Sequence, residues 1–301
     1  MERLTAKKLI NSTRRAIFPV LGYALLAFWS LILVLSFVWG ILTSLKTGLD
    51  FYANPVGLPS KWEFKNYIKA LDNIYADVGL SSGTPRRIGF FGMLVNTLLY
   101  AVGAPFFAVM TAACASYVAC KYKQFRWTKI LYGIVIFSSF MPIGASLAAN
   151  LQLMNSLRLY DSMIGMWIFS SGAFGFMFLV YYAAFKSLSW EFAESAFIDG
   201  AGHFRVFTTI MIPLTRTTFG ILFLTSFIGI WNDYMTPMIF LPSYPTIAYG
   251  AWIFQYSSET AVSSVSVKLA GLLIVCFPTF LLFVIFKDKL IGELTMGGLK
   301  G

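Results

Sequence analysis

Leu188 to Arg216, LSWEFAESAFIDGAGHFRVFTTIMIPLTR, is a polar interval between two strongly apolar runs of the chain. Ser189 can cap a helix at the start of this interval. Glu191 and Glu194 then place negative charge in the first turns, where the helix dipole favours it. The sequence therefore predicts a short amphipathic helix that begins just after Ser189.

Two features divide the rest of the interval. Asp199-Gly200 predicts a helix stop, because glycine adopts the left-handed conformation that a helix C-terminus prefers. Pro213 disfavours helix at the residue before it, so a second helix is expected over residues 202–210. The interval is thus predicted to fold as a helix–turn–helix.

The predicted helix–turn–helix offers both apolar and small side chains to a partner. Phe192, Ala196 and Asp199 share one face by their spacing, with Ala193 and Phe197 beside them. The apolar anchors expected for a partner are Phe192, Phe197, Phe204 and Phe207. The small residues that would allow close approach are Ala193, Ser195, Ala196 and Ala201. An alternative interpretation is an amphipathic loop that lies on lipid headgroups.

Composition identifies the class of protein. Of 301 residues, 58% are hydrophobic and 12% are charged, which is too apolar for a soluble domain of this length. The three cysteines, Cys114, Cys120 and Cys276, have no metal-ligand or disulfide spacing, and the single histidine, His203, cannot form a metal site alone. The sequence therefore predicts an integral membrane protein that holds no metal or cofactor of its own.

Six apolar runs are long enough to span a membrane, which predicts an all-α protein. They lie at about Ala16–Ser44, Phe90–Ala119, Ile130–Gln152, Met163–Phe185, Thr218–Leu241 and Val265–Phe286. The predicted organisation is a basic tail at 1–15, a six-span transmembrane domain at 16–286 and a second tail at 287–301. Within that domain lie an external loop at 46–88 and the polar interval at 188–216.

The distribution of charge predicts the orientation. Six spans place both termini on one side, and that side carries fifteen of the 23 Lys and Arg residues, whereas the other side carries eight. Because cytoplasmic loops are enriched in Lys and Arg, both termini are predicted to be cytoplasmic. The net charge of +10 is explained by this topology, so nucleic-acid binding is not expected.

The polar interval resembles a known motif. Its pattern is E-A-A, three residues, G, nine residues, I-x-L-P, with Ser195 for the first Ala and Ile212 for Leu, and it is formed by Glu194-Ser195-Ala196, Gly200, Ile210, Ile212 and Pro213. This pattern resembles the cytoplasmic loop of binding-protein-dependent ABC importer permeases, where it docks on the ATP-hydrolysing subunit. The resemblance implies the type I ABC importer permease fold and a coupling helix–turn–helix.

Further pieces resemble the MalG-type carbohydrate permeases within that family. They are Asn66-Tyr67, Asn96-Thr97, Leu159-Tyr160-Asp161-Ser162, Trp231-Asn232-Asp233-Tyr234 and the ending from Gly292 to Gly301. Ser189-Trp190 departs from the group, in which the loop usually begins with a proline. The resemblance covers essentially the full chain. It implies a subunit of an importer in the inner (plasma) membrane of a prokaryote. The expected solute is a carbohydrate, and specifically an oligosaccharide.

The resemblance also implies the partners. No Gly-x-x-x-x-Gly-Lys-Ser/Thr motif occurs, so ATP and Mg²⁺ are expected on two separate ATP-binding subunits. A second homologous permease, forming a heterodimer, and an extracytoplasmic solute-binding protein complete the expected assembly, surrounded by membrane lipid. The residues expected to couple to the ATPase are Phe192, Glu194, Ser195, Ala196, Phe197, Asp199 and Gly200.

Polar residues at membrane depth are candidates for the substrate pathway, because ionisable groups there usually face a pathway or a partner. The candidates are Asn150, Gln152, Trp231, Asn232, Asp233 and Tyr234. For Asp233, the alternative is a solvated helix end near the outer surface. An aromatic second outer loop at 242–263 could equally anchor in the membrane interface or contact the binding protein.

Other functions are weighed against this one. Within transport, the alternative is an ABC importer permease for a non-sugar solute, such as a glycerol phosphate or a polyol. A channel or a secondary transporter would not need the loop motif. An intramembrane enzyme would need a catalytic set, and one histidine with no Gly-x-Ser-x-Gly and no paired intramembrane carboxylates does not supply it.

Overall fold

The computed structural model describes residues 2–79, 85–140, 147–172, 175–258 and 263–296. Most of these residues are helical. In chain order the elements are α1 Glu2–Ser44, α2 Gly48–Ala53, α3 Lys65–Asn73, β1 Tyr75–Val78, β2 Arg86–Gly89, α4 Phe90–Lys121, α5 Arg126–Phe140, α6 Leu147–Ser156, α7 Met163–Ser170, α8 Phe176–Ser187, α9 Glu191–Ile198, α10 His203–Val206, a π-helical turn Phe207–Met211, α11 Ile212–Leu214, α12 Arg216–Asn232, α13 Met235–Phe240, α14 Ile247–Tyr256 and α15 Val265–Met296.

The fold is helical but not purely so. β1 and β2 pair as an antiparallel hairpin, with Tyr75 opposite Gly89, and Arg87 forms an ion pair of 3.3 Å with Asp77. This hairpin lies in the stretch predicted to be an external loop at 46–88, which also contains α2 and α3. The all-α prediction is therefore wrong for this short segment, whose backbone groups pair between two strands.

Three of the described helices are long and apolar enough to cross a membrane: Pro19–Ser44, Phe90–Lys121 and Val265–Ile285. A fourth span exists if the bent pair His203–Leu214 and Arg216–Asn232, which meet at 75°, is counted as one. The predicted third, fourth and fifth spans each comprise two helices, namely α5 with α6, α7 with α8, and α12 with α13. The count of six spans accordingly stays a prediction.

The chain divides into two compact units. The first contains residues 1–71 and 257–274, and buried polar contacts fix the end of α1. The Asn66 amide donates to the carbonyls of Ser44 and Lys46, both at 2.8 Å. In the same unit, Asp50 accepts hydrogen bonds from the hydroxyl and backbone N–H of Ser60, which lower the pKa of its carboxyl group.

The second unit, residues 72–256 and 275–301, is built around α4. One face of α4 carries buried small residues, including Ala101, Ala104, Ala108 and Ala112, against which α7, α8 and α12 pack. Small side chains let helix backbones approach closely in a membrane. A Cβ at Gly103 would lie 2.2 Å from the indole of Trp167, so this approach requires glycine.

Two predicted connecting segments are more helical than expected. The predicted outer loop at 242–263 contains α14, whose Gly250 packs against Met93 and Ile74. α1 begins at Glu2, so it includes the predicted basic tail, and α15 continues to Met296 through most of the second tail. Residues 297–301 of that tail lie outside the described residues.

Candidate functional site

The interval at 188–216, hereafter the motif loop, begins as predicted. The Ser189 hydroxyl accepts a hydrogen bond of 3.3 Å from the backbone N–H of Glu191, the first residue of α9. Glu191 and Glu194 lie in the first turn, where the helix dipole favours their charge. The predicted short helix is therefore present over Glu191–Ile198.

The predicted turn at Gly200 is also present. Gly200 has φ of +82°, and its backbone N–H donates to the carbonyl of Phe197 at 3.0 Å. The N–H of Ala201 donates to the carbonyl of Ala196 at 2.9 Å. Together these two bonds form a Schellman motif, which satisfies the last carbonyls of α9 through backbone groups alone.

The second helix differs from the prediction, which ended it before Pro213. After α10 the chain widens into the π-helical turn and continues through Pro213 as α11. Pro213 lies in the first turn of α11, where a missing N–H costs little. In the widened stretch, the hydroxyl of Thr209 donates to the carbonyl of Arg205 at 2.6 Å. The helical path ends at Thr215, where the 75° bend begins.

α9 presents one face to its own chain. Ala193 is fully buried, Ala196 and Phe197 are half-buried, and Phe207 is 7% exposed. These residues pack with a core cluster that includes Tyr117, Tyr181 and Phe185 of α4 and α8. The prediction that Ala193 and Phe207 face a partner is wrong, because the spacing of 193, 196 and 197 forms the inward stripe of the helix.

The opposite face of the motif loop is open to solvent. Its exposed residues are Glu191, Phe192, Glu194, Ser195, Ile198, Asp199, Phe204 and Arg205. Ile198, which sequence reasoning did not single out, is 86% exposed. Phe192 also borders a cleft of about 580 Å³, shared with Ile210, Pro213 and Arg216. This surface combines apolar side chains with carboxylates around a concave patch.

Contacts from α4 hold the motif loop in place. The Lys121 ammonium donates to the carbonyl of Leu188 at 2.7 Å and lies 5.6 Å from the centre of the Trp190 ring. The Tyr122 hydroxyl lies 2.7 Å from Nδ1 of His203. The Trp190 ring packs against Tyr122 with a centroid distance of 6.1 Å. Trp190, the departure from the usual proline, thus anchors the start of the loop.

Asp233, the ionic candidate for the substrate pathway, interrupts the predicted fifth span. It follows the end of α12 at Asn232 and precedes α13. One carboxylate oxygen accepts from the backbone N–H groups of Met235 and Thr236, at 3.0 and 3.1 Å. Asp233 therefore caps α13, and the span is broken because a side chain satisfies the first free N–H groups of the next helix.

The other pathway candidates occupy different environments. Trp231 is 2% exposed and packs with Phe227 and Ala101 in the core, whereas the exposed Asn232 donates to the carbonyl of Ile228 in its own helix. Tyr234 stacks on Trp252 of α14 at 5.7 Å, in nearly parallel planes. Asp233 thus lies between a buried indole and an aromatic stack.

Asn150 and Gln152 lie on α6. Asn150 is half-buried and Gln152 is exposed. Met154 of the same helix packs with Phe240 of α13 in a shared cluster, so α6 is a neighbour of the segment that follows Asp233. Among the described residues there is no group of three or more His, Cys, Asp or Glu side chains that could hold a metal ion.

The family follows from residues 110–292, which match the model of the binding-protein-dependent transport system inner membrane component. That match includes the motif loop and covers more than half of the chain. The chain belongs to this family. As a member, the permease is the membrane component of an ABC transporter, a component that lacks an ATPase site of its own and works with ATPase and solute-binding partners.

Individual relatives match the permease over most of its length. The diacetylchitobiose uptake system permease protein NgcG of Streptomyces coelicolor is 23% identical, over 97% of this chain and 92% of the relative. The sn-glycerol-3-phosphate transport system permease protein UgpE of Yersinia enterocolitica is 28% identical over 55% of this chain and 56% of the relative. A chain of a bacterial ABC transporter involved in the import of the acidic polysaccharide alginate aligns with a TM-score of 0.74 and 20% identity, covering 90% and 96% of the two chains.

Several polar residues of the permease act as backbone clamps, a role that sequence reasoning missed. Thr97 accepts from the N–H of Ile247 at 2.8 Å, and Asn96 donates to the carbonyl of Pro245 at 3.1 Å. The N–H of Ser243 donates to the carboxylate of Asp161 at 2.9 Å. These partners are about 80 to 150 residues apart, so no local pattern could reveal them.

Proposed function

We propose that the permease is the transmembrane subunit of an ATP-driven importer for a carbohydrate, with an oligosaccharide as the best candidate. It would alternate between two packings of its helices as separate ATPase subunits close and open. The observation that carries the proposal is the family match over 110–292, together with near full-length similarity to a permease for diacetylchitobiose uptake.

The motif loop is proposed as the coupling element to the ATPase. Support comes from the exposed face of α9, where Phe192 and Ile198 offer apolar surface beside Glu194, Ser195 and Asp199. The inward face belongs to a cluster that includes Tyr117 of α4, Phe185 of α8 and Leu222 of α12. A push on the exposed face would therefore be transmitted directly to three membrane helices.

Glu194 and Gly200 have separate proposed roles in that element. Glu194 would pair with a cation of the ATPase surface, while Gly200 sets the angle between α9 and α10. Ala196 and Phe197, which are half-buried, would support the docking face from behind rather than form its centre. In this arrangement, the exposed residues would contribute the binding free energy with the ATPase, and the buried residues would keep α9 rigid.

The assembly is proposed to contain a second, different permease, two ATPase subunits and an extracytoplasmic binding protein, with both termini of this chain cytoplasmic. Ser82, in the predicted external loop, lies outside the described residues, and Thr128, at the start of α5, is buried. The exposed Lys65 and Lys123 are better cysteine sites. In a background without native cysteines, external reagent should label Lys65→Cys and not Lys123→Cys, and the reverse pattern would contradict the orientation.

The solute pathway is proposed to pass near Asp233 and Tyr234. The stack of Tyr234, Trp252 and Tyr249 offers aromatic faces, which suit the C–H faces of sugar rings. Asp233 and Asn232 would supply polar contacts beside it. The aromatic residues of α14 would also serve as a surface for the binding protein.

A second candidate is import of a glycerol phosphate or a polyol, which similarity to a UgpE protein favours over 55% of the chain. Uptake by vesicles that contain both permeases, the ATPase and the binding protein would separate the two. Oligosaccharide uptake that requires ATP supports the main proposal, whereas uptake of glycerol phosphate alone supports the alternative. ATP-independent uptake would contradict both.

A further inference from the structure

An open cleft of about 600 Å³ lies where α4 ends, between the turn into α5 and the start of α10. Its lining is almost wholly apolar and includes Cys114, Val118, Phe125, Trp127 and Phe204. Trp127 and Phe204 are each 79% exposed, so the rim of the cleft is an apolar surface open to its surroundings. Exposed apolar patches of this kind mark binding sites for apolar partners.

The cleft borders the end of a helix that is long and apolar enough to cross a membrane. Cys114 and Val118 belong to the last turns of Phe90–Lys121, which is apolar enough to cross the membrane. Phe125 and Trp127 follow after this helix has ended. We therefore expect the cleft to run from the hydrocarbon to the headgroup level, where tryptophan is enriched.

Three cations lie along the stretch that contains the turn after α4 and the start of α5. Lys123, Arg126 and Lys129 alternate in the chain with residues that line the cleft, and all three are exposed. Within the described part of the chain, none of them forms a salt bridge, and no acidic residue lines the cleft. Lys121 is excluded from this group because it is already bonded to Leu188. The charge next to the cleft thus complements an anion.

We propose that the cleft binds an anionic phospholipid, with an acyl chain along Cys114 and Val118 and the phosphate beside the three cations at 123–129. A volume of about 600 Å³ is within the usual range for a ligand pocket. His203 and Phe204 of the motif loop also line the cleft, so the lipid would touch α10 directly. The lipid site is argued from the location of the cleft and not from the solute carried. A negative result for lipid binding would therefore leave the proposed transport function unaffected, and the reverse also holds.

The test is native mass spectrometry of the full-length permease released from nanodiscs, titrated with phosphatidylglycerol or phosphatidylcholine. Phosphatidylglycerol should bind at least about tenfold more tightly, because each cation near an anionic lipid contributes about fivefold. Lys123→Gln with Arg126→Gln should remove most of this preference. The matched control, Lys65→Gln with Arg158→Gln, neutralises two exposed cations elsewhere and should leave it unchanged.

A second measurement uses Cys114 as a reporter, in a chain whose Cys120 and Cys276 are replaced by serine. Phosphatidylglycerol should slow alkylation of Cys114 at least about threefold relative to phosphatidylcholine, since the acyl chain would cover the exposed thiol. Soluble glycerol phosphate, which lacks acyl chains, should give no protection. Equal binding of both lipids, or protection of Cys114 by the ATPase subunits and not by lipid, would overturn the proposal.

Discussion

Two interruptions of the helical path, at Gly200 and at Asp233, are made in different ways. At Gly200 the chain turns through a left-handed glycine, and the backbone satisfies the end of α9 by itself. At Asp233 the chain breaks because a carboxylate accepts two N–H groups of α13. The turn at Gly200 depends on a residue without a side chain, whereas the break at Asp233 depends on the carboxylate side chain.

The difference determines what each turn leaves available. Because the Schellman turn uses no side chain, Glu194 and Asp199 stay exposed beside it and can meet a partner. One carboxylate oxygen of Asp233 already accepts hydrogen bonds from the N–H groups of Met235 and Thr236, so only the remaining acceptor capacity is available to a solute. The proposed docking element is built around the first kind of turn.

The largest effect is expected at Gly200. Gly200→Val would force a β-branched residue into the left-handed region, at a cost of ~1–2 kcal/mol or more, and would misdirect α10. Uptake and transport-coupled ATP hydrolysis should fall at least about tenfold while membrane insertion persists. Gly200→Asn is the control, since asparagine tolerates this conformation and no atom lies within 4 Å of a Cβ there. Normal uptake by the valine variant would refute the role of the turn.

Asp233 is expected to give an intermediate effect. Asp233→Ala removes the cap of α13 and should lower the free energy of unfolding by about 1 kcal/mol, measured by chemical denaturation in detergent. Asp233→Asn keeps an oxygen that can accept the same bonds, so stability should be nearly unchanged. If the asparagine variant keeps its stability but shows reduced uptake or an altered sugar preference, the charge of Asp233 contributes to transport. Parental transport of every tested sugar would leave Asp233 as a cap only.

A third helix end tests whether glycine itself matters in a Schellman turn. α6 ends with the same two bonds as α9, since the N–H of Arg158 donates to Asn155 and that of Leu159 to Met154. Arg158 occupies the left-handed position with φ of 56°. Arg158→Gly should therefore stabilise the protein by about 0.5–1 kcal/mol in a thermal unfolding assay, whereas Arg158→Ala should not. Destabilisation by glycine would show that the arginine side chain has a structural role.

The smallest effect is expected at the start of the motif loop. Ser189→Ala removes a long hydrogen bond of 3.3 Å from an exposed helix start and should cost about 0.5 kcal/mol. Uptake should remain close to the parental level, because Lys121 and Trp190 still hold the loop. Loss of transport in this variant would mean that the cap, and not the anchor from α4, fixes the loop.

Sequence alone predicted the parts that depend on local rules. The start of α9 and the stop at Gly200 follow from capping and from glycine's freedom, so both are confirmed. The inward rotation of Ala193 and Phe207 was missed, because the face that a short helix buries is decided by α4 and α8. The break at Asp233 was missed as well. Hydropathy is averaged over a window of residues, so it does not detect one side chain that caps a new helix.

Contacts across long separations could not be read from the sequence at all. The pairing of Tyr122 with His203, and the hydrogen bond from Lys121 to Leu188, join residues 81 and 67 positions apart. The four basic residues between positions 121 and 129 entered the prediction only through the count of charges. The contacts of this segment with the motif loop depend on the tertiary fold, which brings the end of α4 next to Leu188, Trp190 and His203.

The π-helical turn at Phe207–Met211 gives the motif loop a reserve of backbone length. Such a turn accommodates one more residue than an α-helical turn does. If this turn changed to α-helical bonding, the helical residues after it would rotate by about 100°, the angle of one residue. The extra residue would then have to be accommodated at the bend at Thr215. Because Phe207 and Met211 are buried in the cluster that contains Tyr117 of α4, any such change would also have to repack this cluster.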